Sequence, residues 1–249
     1  MGKLKDHKSK LVIITGPSKG LGLDIFELLL NQTNYILVGI SRTCSKALDD
    51  LIKQFPERAF FKSFDFNNIS DIKNLVTEIR REHGIAFALI NNAAIGHDGI
   101  LGTMHEKEIK EVINVNISAP IVLTKYVSRL MLTQGEGRVI NIGSIIGKTG
   151  FNGLSVYGAS KSAMDGFTKS LARELGKANI TVNLICPGYM KTEMTEGISK
   201  KNLDRIINRS PLSRLAETRD ISEMVSYLIS EKSVNITGSS FIIDAGSTS

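Results

Sequence analysis

Residues 11–22 read LVIITGPSKGLG, and they decide the fold. A β-branched apolar run, Leu11–Thr15, is followed by Gly16-Pro17-Ser18-Lys19-Gly20-Leu21-Gly22 and then by residues with helical spacing. Three glycines stand where a strand turns into a helix. Such a turn lets the backbone approach a pyrophosphate, whose charge is favoured by the helix N-terminus. The spacing is TGxxxGxG rather than GxGxxG. Glycines also serve purely structural turns, so the weight comes from their place after the first strand of an alternating chain.

Working outward, short apolar runs alternate with helical patterns. The strand candidates are 11–15, 35–40, 59–64, 86–90, 138–142, 181–185 and 240–243. Glu27, Leu28 and Leu29 fall in the first helical segment, and Ile72, Leu75, Val76 and Ile79 stripe another. This order predicts an α/β chain with a doubly wound, mostly parallel seven-stranded sheet and helices on both faces, a single-domain Rossmann fold. The domain is expected over 11–249, after a basic tail at 1–10 and with a substrate lid at about 188–214. Long helices are expected at 105–133 and 155–178. Ligands in such sheets sit beyond the carboxyl ends of the strands.

The composition is ordinary for a soluble globular protein: 249 residues, 42% hydrophobic and 22% charged. No apolar run approaches the roughly 20 residues that span a bilayer. The apolar stretch near the N-terminus is too short for a secretory signal, and Asp6 stands where myristoylation wants Ser or Thr, so a cytoplasmic location is expected. Cys44 and Cys186 are far apart and read as reduced thiols. The net charge is +6, with four lysines clustered in residues 3–10, but no aromatic–basic interleaving points to nucleic acid. No metal cluster is visible: His105-Glu106 is followed by Ile109 where a zinc motif needs its second His. GLSVY at 153–157 ends in Tyr157 and is no hydrolase elbow. GSIIGKTG at 143–150 is one residue short of an ATP-binding loop.

The end of the second strand, Gly39-Ile40-Ser41-Arg42, speaks to the cofactor. A ribose 2′-hydroxyl would want an acid there; a 2′-phosphate wants a cation. Arg42 offers a phosphate-matching fork, and Lys19 a second charge, so NADP(H) is expected. Ser18 and Ser41 flank these cations. Asp65 and Phe66 follow the third strand, where Asp65 could accept from an adenine amino group or simply make a turn before Asn67. Asn92, Ala93 and Ala94 follow the fourth strand, small enough to pack against a cofactor.

Tyr157 and Lys161 are four apart on one helical face, and Ser144 ends the fifth strand thirteen residues earlier. A tyrosine with pKa near 10 is a poor acid–base group at neutral pH. A neighbouring ammonium would favour its phenolate and lower that pKa. Ser144 can donate a hydrogen bond to a substrate oxygen.

TGxxxGxG, NNAA, the Ser–Tyr–Lys set and Pro187-Gly188-xxx-Thr192 together resemble the short-chain dehydrogenase/reductase family, from Leu11 to Gly246. The resemblance implies that Asn116 holds a water in a proton relay with Lys161, Ser144 polarises a carbonyl, and Tyr157 protonates the alkoxide. It implies that Lys161 also holds the nicotinamide ribose, and that Pro187, Gly188 and Thr192 border the carboxamide. Ala94 departs from the usual Gly. CPGYMKTEMT, SPLSRLAET and VNITGSSFIIDAG resemble the 3-oxoacyl-[acyl-carrier-protein] reductases of that family. That implies reduction of a 3-oxoacyl thioester in fatty acid biosynthesis, acyl carrier protein as a possible partner, and a homotetramer or homodimer. Asn152, Tyr189, Met190 and His97 are pocket candidates. Residues 191–214 carry six basic against three acidic side chains, which suits an anionic carrier. Another ketone or a sugar ketone, or a non-catalytic dinucleotide-binding regulator, are the alternatives.

Overall fold

All seven expected strands form, five of them with shifted ends: β1 (Leu11–Thr15), β2 (Ile36–Ser41), β3 (Ala59–Ser63), β4 (Ala86–Asn91), β5 (Gly137–Ile142), β6 (Ile180–Pro187) and β7 (Ser240–Ile243). The structure, a computed structural model, describes residues 9–190 and 200–249. The strands make one sheet in the order β3-β2-β1-β4-β5-β6-β7. Every pairing is parallel, where the sequence predicted a mostly parallel sheet. Around the sheet lie α1 (Gly20–Gln32), α2 (Lys46–Gln54), α3 (Ile72–His83), α4 (Glu106–Ile113), α5 (Ala119–Gln134), α6 (Ser155–Leu175), α7 (Lys200–Arg209) and α8 (Thr218–Ile229).

The two-residue period of β1 splits the core into two layers. Leu11 and Ile13 pack with Ile72, Leu75 and Val76 of α3, Leu123 and Val127 of α5, and Leu171 of α6. Val12 and Ile14 face the other way, onto Ile25 and Leu29 of α1 and Ile221 and Val225 of α8. Each such fully buried Ile, Leu or Val contributes about 1.5–3 kcal/mol. β6 reaches from Ile180 to Pro187, longer than expected, because all eight of its residues are buried. β1 pairs with both β2 and β4, so the chain reverses its direction of travel across the sheet here. That switch point fixes the carboxyl ends of β1, β4 and β5 as the place for a ligand.

The helix expected over 105–133 is interrupted. Asn114–Ser118 form a π turn between α4 and α5, with the Ala119 amide bonded to the Asn114 carbonyl. Pro120 supplies the reason: it has no N–H for the Asn116 carbonyl four residues back. The second long helix ends early, at Leu175, and hands over to a short 3-10 turn. Lys10 also departs from the expected solvated tail. Its Nζ lies 3.0 Å from Glu136 and 3.1 Å from Glu231, and 3.8 Å above the Phe87 ring. Residues 1–8 of that tail lie outside the described residues.

Candidate active site

The turn after β1 is tightly built. Gly16 has φ +69° and Gly20 φ +53°, values that L side chains rarely adopt. A Cβ on Gly22 would sit 2.0 Å from the Gly16 carbonyl oxygen and 2.5 Å from Asn92 Nδ2. Asn92 ties β4 to this turn, donating from Nδ2 to the carbonyls of Thr15 (2.9 Å) and Gly16 (3.1 Å). The Thr15 hydroxyl accepts from the amides of Asn92 and Ala93, each at 2.9 Å, and donates to the Ile90 carbonyl at 3.3 Å. Thr15 was not among the sequence candidates; its signal is a threonine closing β1 just before the first glycine. Ala94 follows, half-buried. α1 starts at Gly20 with no side-chain cap, leaving the first-turn amides of Gly20, Leu21 and Gly22 without intrahelical acceptors.

The neighbouring strand ends form a polar rim. Ser18 Oγ lies 2.6 Å from Ser41 Oγ, and both serines bond the Thr43 carbonyl. Arg42 and Lys19 are exposed beside them. Asp65 makes an Asx turn, its Oδ1 accepting from the Asn67 amide (2.9 Å) and Asn67 Nδ2 (3.1 Å). Phe66 is buried in the core and meets Phe64 edge-on at 5.4 Å, so its ring is packing rather than cofactor surface.

Ser144 follows β5 and caps a 3-10 turn over Ile145–Gly147; its Oγ accepts from the Ile146 amide at 3.2 Å. Its O–H is thereby left to donate. Lys161 is buried, and its Nζ donates to the Ile142 carbonyl at 2.9 Å, 5.7 Å from the centre of the Tyr157 ring. Burial pushes the Tyr157 phenol up to about 12, against a hydrogen bond with Ser144 that pulls it down. This reverses the sequence expectation of a lowered tyrosine. The ammonium is turned toward the Ile142 carbonyl, and desolvation of the phenolate outweighs the Ser144 hydrogen bond. Burial lowers Lys161 to about 8.

Asn116 lies in the π turn and is 3% exposed, with its side chain engaged: Nδ2 donates to the Ile95 carbonyl (2.8 Å) and Ser160 Oγ (3.0 Å), and Oδ1 accepts from the Ile95 amide (2.9 Å). Both of its N–H groups are used. Ser160 in turn donates to the Tyr157 carbonyl at 2.7 Å, so Asn116 fastens the segment after β4 to the first turn of α6.

On the substrate side, the Tyr189 ring lies 5.9 Å from Phe151, and its hydroxyl is buried with no hydrogen-bond partner among the described residues. Tyr189 and Asp98 both bear electrostatically on Tyr157. Pro187 pairs with Ile243, and a Cβ on Gly188 would lie 2.5 Å from Asp244 Cβ, which fixes where Tyr189 begins. Met190 bridges to Ala216. Asn152 is exposed, and His97 faces Glu111 at 3.4 Å. Thr192 lies outside the described residues. Of the expected lid, 188–190 and 200–214 are described, and Arg205, Arg209 and Arg214 are exposed there.

These residues suit a dinucleotide. The turn is closed so tightly that a Cβ at Gly22 has no room, its first amides are open, and cations flank the β2 end. Lys161 uses one of its three hydrogens. Residues 10–203 match the model of the short chain dehydrogenase family. The 3-oxoacyl-[acyl-carrier-protein] reductase FabG of Buchnera aphidicola subsp. Baizongia pistaciae is 35% identical over 237 residues, covering 95% of this chain and 96% of its own. The Escherichia coli K12 protein of the same name is 32% identical over 242 residues, 97% of this chain and 98% of its own. A blue fluorescent protein from a metagenomic library, crystallised in complex with NADPH, superposes with a TM-score of 0.89 at 29% identity, covering 96% of this chain and 98% of its own. The chain belongs to the short chain dehydrogenase family.

Proposed function

We propose that this protein is an NADPH-dependent reductase of 3-oxoacyl thioesters. The observation that carries the reaction type is the convergence of the Ser144 hydroxyl, the Tyr157 phenol and the buried Lys161 ammonium, on the same carboxyl edge of the sheet as the glycine turn. When bound, NADPH supplies the hydride for the carbonyl carbon. Arg42 and Lys19 would provide positive charge for its 2′-phosphate, the Gly20–Gly22 amides would hold its pyrophosphate, and Lys161 would offer N–H groups to ribose hydroxyls.

The chain's own part is proton delivery. Ser144 donates a hydrogen bond to the carbonyl oxygen and orients it. Tyr157 gives its proton to that oxygen as negative charge develops there. A phenol near 12 keeps its proton at neutral pH, so the donor is loaded before each turnover. The Lys161 cation below the ring stabilises the phenolate that remains.

The 3-oxoacyl reading is supported by the names of relatives at 30–35% identity over nearly the whole chain. The exposed Arg205, Arg209 and Arg214 suit an anionic acyl carrier protein. Exposed Ile121 and Leu132 on α5 suit a homotetramer, and we place the enzyme in the cytoplasm. The test mixes the protein with NADPH and acetoacetyl-CoA and follows cofactor oxidation. Tyr157→Phe is expected to lower kcat about 10²–10⁴-fold while NADPH still binds. Tight NADPH binding without turnover of acetoacetyl-CoA or any of a panel of ketones would defeat the proposal.

A further inference from the structure

The stripe that carries Tyr157 and Lys161 continues along α6 to Asp165 and Lys169, each four residues on. Asp165 is a hub. Its carboxylate receives Lys148 Nζ at 2.9 Å, Lys169 Nζ at 2.6 Å and Ser240 Oγ at 2.5 Å. Lys148 belongs to the GKTG stretch that failed as an ATP loop and lies four residues beyond Ser144. The loop between them is stitched by its own backbone: the Gly147 amide bonds the Ser144 carbonyl (3.0 Å), and the Lys148 and Thr149 amides bond the Ile145 carbonyl (2.8 and 2.9 Å). Gly147 sits on the backbone of Lys161 and Ser162, where a Cβ would come within 2.8 Å. The Ser162 hydroxyl donates to the Gly147 carbonyl at 2.5 Å. The loop thus rests on α6 beside Lys161, and Lys148 ties its far end laterally to Asp165.

We propose that Lys148 and Asp165 are a positioning pair that fixes the Ser144 loop against α6 and β7, so that the Ser144 hydroxyl meets both Tyr157 and the substrate oxygen. The inference rests on the carbonyl-orienting role of Ser144 given above. Partial burial opposes ionisation of Asp165, but hydrogen bonds from Lys169, Ser240 and Lys148 outweigh it and hold the carboxyl well below the ordinary range. The Asp165 carboxylate therefore stays ionised throughout the working pH range. Ser144 is the neighbour that pulls the Tyr157 phenol down, so a loosened loop lets that phenol rise. The other groups facing Tyr157, which are Lys161, Tyr189 and Asp98, are left untouched by a change at Lys148.

The test compares wild type, Lys148→Met, Asp165→Asn and Lys148→Arg, all folded by circular dichroism. In Lys148→Met and Asp165→Asn, kcat for acetoacetyl-CoA reduction is expected to fall about tenfold with KM nearly unchanged, and the alkaline limb of the pH profile to move upward. Lys148→Arg keeps the ion pair and stays within about threefold of wild type. Amide exchange of residues 145–149 is expected to quicken about tenfold in Lys148→Met, a readout that needs no turnover. Unchanged exchange in that variant, or variants that lose thermal stability while keeping kcat and the alkaline limb, overturns the pair. Wild type inactive on every carbonyl would sink the reductase proposal instead, and the exchange data would still judge the tie.

Discussion

Replacing Lys161 by Met tests how deeply that cation is buried, through stability alone. In the folded chain burial lowers the Lys161 ammonium from 10.5 to about 8. At about 1.36 kcal/mol for each pH decade, this corresponds to roughly 3 kcal/mol of stability withheld at neutral pH. Below about pH 8 both folded and unfolded chains carry the proton, and the penalty is complete. Between about pH 8 and pH 10.5 the folded chain has released it while the unfolded chain still holds it, so stability rises with pH. Lys161→Met has no proton to release. Urea unfolding at about pH 7.5 and about pH 9.5 should show wild type gaining about 2 kcal/mol over the variant between the two conditions. Tyr157 opposes this only from about pH 10, where the unfolded phenol begins to ionise while the folded one keeps its proton, and it is present in both proteins. Parallel pH dependence of the two would mean that Lys161 is solvated, and with it would fall the account of a buried cation beside Tyr157.

Arg42→Ala should raise the KM for NADPH about 10–100-fold and leave that for NADH nearly unchanged, since the lost charge-assisted bonds belong to the 2′-phosphate. An equal effect on both cofactors would remove Arg42 from that role. Gly22→Ala forces the turn open around a Cβ 2.0 Å from the Gly16 oxygen. It should lower stability by about 1–3 kcal/mol in urea unfolding and abolish NADPH binding by fluorescence titration. Tyr189→Phe removes a buried hydroxyl that has no partner among the described residues and should leave the urea midpoint unchanged. The same change should lower kcat/KM for acetoacetyl-CoA about tenfold relative to a ketone with no second carbonyl, if that hydroxyl donates to the thioester oxygen.

Much of the fold was written in local pattern. β1 alternates between two core layers, and α3 shows its Ile72–Leu75–Val76–Ile79 stripe, because burial of a strand or helix face is decided by residues two, three or four apart. The glycine turn was legible for a similar reason: backbone sterics at Gly16 and Gly20 permit few other residues. Ser144, Tyr157 and Lys161 were legible as types at a spacing, and so were the cations at the β2 end.

Other features depended on where the chain folds back on itself. Whether the Asp65 carboxylate bonds adenine or its own turn, and whether the Phe66 ring faces a ligand or Phe64, is a matter of orientation that residue type does not carry. Thr15 joins β1 to Asn92 and Ala93 across more than seventy residues of chain, and Lys148 meets an Asp165 that no local pattern pairs with it. The direction of the Tyr157 shift was decided there too. A sequence shows that an ammonium lies one helical turn away; only the packed structure sets the balance between that charge and the water removed from around the phenol. Periodicity is a property of neighbours along the chain and is determined by the sequence itself. Desolvation and hydrogen-bond partnership are properties of neighbours in space, and they arise only once the sheet has brought β1, β4, β5 and α6 to one edge.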